Sequence, residues 1–235
     1  MLDKRLLVCA DLIRKGAKVC DVGTDHAYLP CYLVLEHITQ DVTAADVNRK
    51  PLESAKRTIR EAGLSGKVKT MLSDGLQKID SDTQDIVIAG MGGELIAKIL
   101  FSCPWCRDSQ KRLILQPMTN IPYLRAALYR EGFEILLERP VSERGHFYTV
   151  LLCRWCGEKK EISKLFSLIG KIPECGTLEG EEHLRYQVGR LEKIAAGLNT
   201  AKAPEKRREA KKIDALELEI RNKLKTPEIE TGEQE

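Results

Sequence analysis

The chain lacks the features that mark a membrane or exported protein. No charge-free run comes near the ~20 residues that a membrane-spanning helix needs. The opening MLDKRLLVCADLIRKG is broken by Asp11, and no small-residue cleavage site follows it. The expected location is therefore cytoplasmic, with no membrane association. A strong imbalance of charge is also missing. The 38 Lys and Arg face 35 Asp and Glu, a net +3, so the molecule as a whole is no polycation. No internal repeat or low-complexity stretch is present. With 43% hydrophobic and 31% charged residues, the chain is not wholly disordered. Eight cysteines without an export signal argue against a disulfide framework. Cys9, Cys20 and Cys31 read as small buried hydrophobes.

What is present is an alternation. Strand-like runs at Lys18–Val22, Asp41–Asp46, Val68–Leu72, Asp85–Ala89 and Arg112–Gln116 are separated by helical patterns near Tyr28–Glu36, Arg49–Glu61 and Gly92–Phe101. That order predicts an α/β fold with a parallel sheet and right-handed crossovers. Phe133–Val141 and His146–Arg154 follow, joined by Ser142 to Gly145, and predict a terminal antiparallel hairpin. After Gly157 strand signals stop. Leu184, Val188, Leu191, Ala195 and Leu198 recur at helical spacing, as do Ile213, Leu216, Ile220 and Leu224. These predict two amphipathic helices folded back as a coiled-coil-like hairpin. The expected organisation is a catalytic or binding domain over 1–157, a helical hairpin over 158–227 and a flexible acidic tail over 228–235.

Ligands of open α/β sheets bind outside the carboxyl ends of the strands, where the strand order reverses. The first strand leads into Asp21-Val22-Gly23-Thr24-Asp25-His26-Ala27-Tyr28-Leu29-Pro30. Only one glycine of the three in a dinucleotide fingerprint is kept, and Asp25 stands where a diphosphate would need close backbone approach. A carboxylate there repels phosphate and favours a cationic ligand such as S-adenosylmethionine. Asp46 lies 25 residues after Asp21, at the end of the second strand, where an acid can hold both ribose hydroxyls. Asp74-Gly75 follows the third strand, at a corner suited to an adenine edge. Ala89-Gly90-Met91-Gly92-Gly93 follows the fourth and predicts a bare floor with exposed N–H groups.

The runs DVGTDHAYLP, AADVNRKPLESAKRTI, LSDGL, IVIAGMGGELI and LILQPM resemble the bacterial TrmK family. These are class I methyltransferases that use S-adenosylmethionine to methylate N1 of adenine 22 in tRNA. The resemblance covers about residues 1–155 and, in kind, the helical segment. It implies a Rossmann-like methyltransferase sheet with a coiled-coil appendage, S-adenosylmethionine as cofactor and tRNA as partner, with no obligate protein partner evident. It assigns Asp21, Gly23, Asp25 and His26 to the cofactor loop and Asp46 to the ribose. Asp74 and Gly75 flank the adenine, and Ala89, Gly90, Met91 and Gly92 lie at the methionine end. The Asn/Asp-Pro-Pro-Tyr run of other aminomethylating enzymes is absent, so no catalytic role carries over from them.

Adenine N1 attacks with a lone pair, and the product charge spreads to N6. Catalysis then needs alignment and an acceptor near N6. Asp25, with His26 beside it, and Gln116 at the end of the fifth strand are the expected groups, and Tyr28 is a stacking surface for an extruded base. Arg144 is a candidate phosphate contact in the hairpin turn. Between Leu184 and Lys225, twelve Lys or Arg face six Asp or Glu. Arg185, Arg190, Lys193, Lys202, Lys206, Arg207, Arg208, Lys211 and Lys212 make this the expected tRNA-binding segment. A methyltransferase on another RNA site or a small molecule, and a non-catalytic RNA-binding protein, are the alternatives.

Two CxxC pairs remain. Cys103 and Cys106 precede the fifth strand, and Cys153 and Cys156 end the last one. If the last strand runs antiparallel beside the fifth, both pairs lie at one edge and can form a structural Cys₄ zinc site. The alternative is ordinary cysteines beside two packing tryptophans.

Overall fold

The computed structural model of this chain describes residues 2–200 and 203–225. Lys202 and the acidic tail expected over 228–235 lie outside the described residues. Two compact units divide between Ile162 and Ser163. The division falls beyond Gly157 because the strip after it stays attached to the first unit. Lys160 N donates to Tyr129 O at 3.1 Å, and the Lys160 ammonium sits 5.3 Å from the centre of the Tyr129 ring.

The first unit is built as α1 (Lys4–Asp11), β1 (Val19–Val22), α2 (Tyr28–Leu35), β2 (Val42–Asp46), α3 (Arg49–Glu61), β3 (Val68–Leu72), β4 (Asp85–Gly92), α4 (Gly93–Phe101), β5 (Arg112–Thr119), α5 (Ile121–Arg130), β6 (Phe133–Glu143) and β7 (His146–Trp155). The strands form one seven-stranded sheet in the order β3-β2-β1-β4-β5-β7-β6. The first five in that order are parallel, and β7 is antiparallel to both β5 and β6. The strand order reverses between β1 and β4. This switch point opens a crevice at their carboxyl ends. All of β1 is buried, as expected of a strand covered on both faces. On α3, Leu52, Ala55 and Ile59 are the buried residues, one helical stripe facing the sheet.

Two helices go beyond the expected alternation. Asp3 caps α1, its Oδ1 accepting from Leu6 N at 2.9 Å, and α1 packs on α2, β5, β6 and β7. The other, α5, opens with proline in its first turn after Asn120 at φ 52°. The β6–β7 hairpin is present, with Arg144 and Gly145 at φ 50° and 77°, the positive angles that a type I′ turn requires. Because β7 runs antiparallel to β5, its first residues, and with them this turn, lie at the sheet edge that holds the carboxyl ends of the parallel strands.

The second unit holds α6 (Lys164–Ile169), α7 (Leu178–Asn199) and α8 (Pro204–Lys225). Its core is Ile169, Ile172, Leu184, Val188, Leu191 and Ile220, which includes positions named by the helical periodicity. Thr177 caps α7 by accepting from Gly180 N at 3.1 Å. Among the described residues no helix is long and apolar enough to cross a membrane.

Candidate functional site

The loop after β1 is pinned to β2. Gly23 N and Thr24 N both donate to Ala45 O, at 2.8 and 3.0 Å. These amides are therefore occupied and offer nothing to a phosphate. Gly23 sits at φ +77°, and a Cβ there would lie 2.2 Å from Met91 Cε, so the glycine lets the ends of β1 and β4 close on each other. Asp25 and Ala27 also take left-handed angles, φ 45° and 56°, which costs an L-residue about 1 kcal/mol each. This tight loop turns the chain into α2, whose N-terminus has no side-chain cap. Asp25 is thus free of capping duty. It is exposed, with its carboxylate 3.5 Å from His26 Nε2. The His26 ring stacks on Tyr28 at 5.3 Å and 21°. Together the two rings form an aromatic ledge, and Tyr28 is half exposed.

Below this ledge lies buried negative charge. Burial pushes the Asp21 carboxyl up to about 6, and the nearby Asp46 carboxylate adds to the effect, while the Thr24 hydroxyl opposes it. Asp46 is also buried, and one of its oxygens accepts from Asn48 N at 2.7 Å. The Asp46 carbonyl accepts from Ser73 N at 2.9 Å, which ties the ends of β2 and β3 together. Asp74 is exposed beside it. Gly75 has φ +55°, and a Cβ there would meet Ile99 Cγ2 of α4 at 2.9 Å.

The fourth-strand glycines behave differently from the expected floor. β4 continues past Ala89 through Gly92, with register irregularities against β5 at Ala89, Met91 and Gly92. Bulges of this kind re-aim backbone beside active sites. Gly90 is exposed, but its N–H is engaged, donating to Gln116 Oε1 at 3.1 Å. Gln116 itself is a correction. Its side chain is fully buried. Oε1 also accepts from Arg5 Nη1 at 2.7 Å, and Nε2 donates to Pro117 O at 3.1 Å. With both ends occupied it holds the β4 bulge in place and does not reach a base. Arg5 is the site residue that the sequence pattern alone does not single out. The one signal for it is Asp3 as a helix cap ahead of Leu6, Cys9, Ala10 and Ile13 at helical spacing.

Arg144 is exposed in the hairpin turn at this same edge. Lys4 Nζ donates to Ser142 O at 3.5 Å, which sets the start of α1 beside that turn.

The zinc expectation is overturned. Among the described residues no group of three or more His, Cys, Asp or Glu is arranged to hold a metal. β7 does run antiparallel beside β5, but Cys153 is in mid-sheet register with Leu113 and Ile135. β7 ends at Trp155, so Cys156 lies past the strand while Cys153 is held within it. The Cys156 thiol donates instead to Gly132 O at 3.3 Å. Cys103 and Cys106 are buried in a separate 3-10 turn.

In the helical unit, Arg185, Arg190, Lys193, Lys206, Arg207, Arg208, Lys211 and Lys212 are all exposed. Arg185 pairs with Glu181 at 2.9 Å and Arg190 reaches Gln187 at 3.3 Å. Lys206, Arg207, Arg208 and Lys211 make no ion pair among the described residues. They form a basic run, flanked by Glu205 and Glu209, on the first turns of α8.

Residues 2–151 match a family described as a methyltransferase domain. The Bacillus subtilis (strain 168) tRNA (adenine(22)-N(1))-methyltransferase is 41% identical over 152 residues, a stretch that spans 64% of this chain and 64% of that relative's length. Among solved structures, the B. subtilis M1A22 tRNA methyltransferase TrmK superposes with a TM-score of 0.80 at 28% identity, over 95% of this chain and 99% of that one. M. capricolum TrmK, in complex with the cofactor product S-adenosyl-homocysteine, gives 0.76 at 27% identity, over 95% and 98%.

Proposed function

Because the chain belongs to the methyltransferase-domain family, we propose that it transfers the methyl group of S-adenosylmethionine to N1 of adenine 22 in tRNA. The observation that carries this reading is the buried Asp21 carboxylate, backed by Asp46, at the switch point of the sheet. A desolvated anion without a cationic partner needs one from the ligand. A diphosphate would worsen the repulsion, whereas a ligand with a sulfonium and an ammonium relieves it.

The residues present fit that cofactor. Asp46 would accept from the ribose hydroxyls. Asp74 and Gly75 would border the adenine, and the glycine bulge Gly90–Gly92 leaves room at the methionine end. When bound, the cofactor supplies an electrophilic methyl carbon, whose bond electrons return to sulfur as adenine N1 attacks. The chain's own part is positioning and charge. Asp25, exposed and free of capping duty, accepts from N6–H as positive charge develops there. His26 and Tyr28 offer the stacked face on which an extruded base would rest. The exposed cations of α8, with Arg144 at the sheet edge, would contact phosphate and supply a salt-dependent share of affinity. A tRNA substrate favours a cytoplasmic activity.

The test is methylation of unmodified tRNA and of the same tRNA with adenine 22 replaced, followed by mapping of the product base. Methyl transfer is expected to N1 of adenine 22 and to vanish on its replacement. Equal transfer to the changed tRNA overturns the assignment of the target base.

A further inference from the structure

One of the two CxxC pairs is arranged for a chemistry other than metal binding. Cys103-Pro104-Trp105-Cys106 joins α4 to β5 through a 3-10 turn, Pro104–Cys106, with Cys103 at its start. Such a turn has about three residues per revolution, so side chains three apart eclipse. Cys106 N donates to Cys103 O at 3.2 Å and Arg107 N to Pro104 O at 3.1 Å, which closes the turn. The Cys106 thiol accordingly donates to the Cys103 sulfur, and the amides of Cys106 and Trp105 face the same sulfur.

A buried cation stands beside the pair. The Lys111 ammonium donates to Ser81 O at 2.7 Å and Thr83 O at 2.8 Å, and lies 5.0 Å from the centre of the Trp105 ring. It makes no ion pair among the described residues. Asp82, within reach of its charge, is already paired with Lys18 at 2.7 Å. A buried ammonium favours an anion nearby, and its charge reaches the Cys103 sulfur. The bond from Cys106 outweighs burial and holds the Cys103 thiol below the ordinary thiol range, with the two amides and Lys111 adding to it. That same bond pushes Cys106 up. Burial pushes Cys9, Cys20 and Cys153 up as well. Cys103 keeps 6% of its surface exposed and Cys106 none, so a reagent meets Cys103 first.

We propose that Cys103 and Cys106 form a redox-active dithiol that reduces low-molecular-weight disulfides, with Cys103 attacking and Cys106 resolving. The Cys103 thiolate attacks one sulfur of the small disulfide. A mixed disulfide forms, the original S–S bond breaks and one small thiolate leaves. Cys106 gives up its proton to that thiolate and attacks the Cys103 sulfur. The protein disulfide forms, and the second small thiolate leaves and takes the proton that Cys103 shed on ionising. Two electrons pass from the pair to the small disulfide, which ends as two thiols. The pair lies at the amino end of β5, the sheet edge away from the crevice, so this chemistry is independent of methyl transfer.

The full native chain is incubated with glutathione disulfide, quenched with acid at intervals, and its cysteines are mapped by mass spectrometry. A Cys103–Cys106 disulfide should form roughly tenfold or more faster than the exposed Cys156 gains glutathione. Cys9, Cys20 and Cys153 should still be reduced at that point, which shows that the folded chain reacted. In Cys106→Ser the reaction should stop at a mixed disulfide on Cys103. In Cys103→Ser, Cys106 should stay reduced. A pair that remains reduced in the unmodified chain while Cys156 reacts overturns the proposal. A disulfide from Cys106 to Cys20, whose charge also reaches it, overturns the assignment of Cys103. Oxidation of the core thiols in step with the pair overturns it too, because the reaction would then belong to the unfolded chain.

Discussion

A Cβ placed on Gly23 would stand 2.2 Å from Cε of Met91. The loop after β1 and the tip of Met91 on the β4 bulge therefore meet in the space that a side chain at position 23 would take. The Met91 tip is flexible and can yield. The backbone cannot, since φ is +77° and an alanine there is strained whatever the space.

Gly23→Ala should therefore harm the site more than the fold. Strain of about 1–2 kcal/mol is expected, seen as a lower midpoint in thermal unfolding. Because the loop carries Asp25, His26 and Tyr28, cofactor affinity should drop by roughly tenfold or more. Met91→Ala added to the same chain should not restore it, because it removes the clash and leaves the φ penalty. Restoration would show that packing, not backbone angle, is what the glycine serves.

Asp21→Asn should separate stability from binding. The carboxyl's pKa is raised to about 6 from an ordinary 3.8. A raised carboxyl favours the folded state when protonated, so its cost is present above pH 6. That cost is relieved as pH falls from 6 towards 3.8. The shift corresponds to about 3 kcal/mol. The ligand-free asparagine variant should thus be more stable at pH 7.5, by up to about that amount, while binding S-adenosylmethionine more weakly. In the unmodified protein, cofactor affinity should decline below pH 6 as Asp21 takes up a proton. An asparagine variant that is less stable and binds normally would remove Asp21 from the charge argument.

Much of this is legible in the sequence, and the gaps have physical causes. Asp21, Asp46 and Asp74 can be placed because strand ends in a parallel sheet point at one crevice, and their spacing follows from βαβ units. The β6–β7 hairpin is legible from its alternation and its Arg144-Gly145 turn. Arg5 is not, because its bond to Gln116 joins residues 111 apart in sequence. Gln116 misleads for the same reason: a polar residue at a strand end looks available until its partners are known. The CxxC pairs mislead because a shared sheet edge does not bring four thiols together: Cys153 is held within β7, and Cys106 lies in a separate turn.

Arg125 and Glu138 make a different kind of claim on the fold. Their side chains are 1% and 0% exposed and 2.7 Å apart, with a second bond at 2.9 Å from Nε to the other carboxylate oxygen. This pair clamps α5 to β6. Removing one partner takes the opposite charge away from a buried carboxylate, so Arg125→Met should cost about 3–5 kcal/mol. Arg125→Met with Glu138→Leu should recover most of that, which denaturant unfolding can measure. A double variant as unstable as the single one would mean that the pair contributes net energy rather than only mutual neutralisation.

The α8 cations bear on substrate and not on cofactor. Lys206, Arg207 and Arg208 are exposed at consecutive positions and make no ion pair among the described residues, so reversing them to Glu should leave the fold intact. If they face phosphate, each phosphate they no longer neutralise means one fewer counterion released on binding. The slope of log affinity against log salt should then flatten by about 0.7–0.9 per phosphate. The expected result is a KM for tRNA raised several-fold, a shallower salt dependence and an unchanged affinity for S-adenosylhomocysteine. The salt slope is the deciding readout, because general damage to the helices would raise KM without altering it. A slope equal to that of the unmodified protein would assign these cations to solvent and leave Arg144 and the sheet edge to bind the RNA.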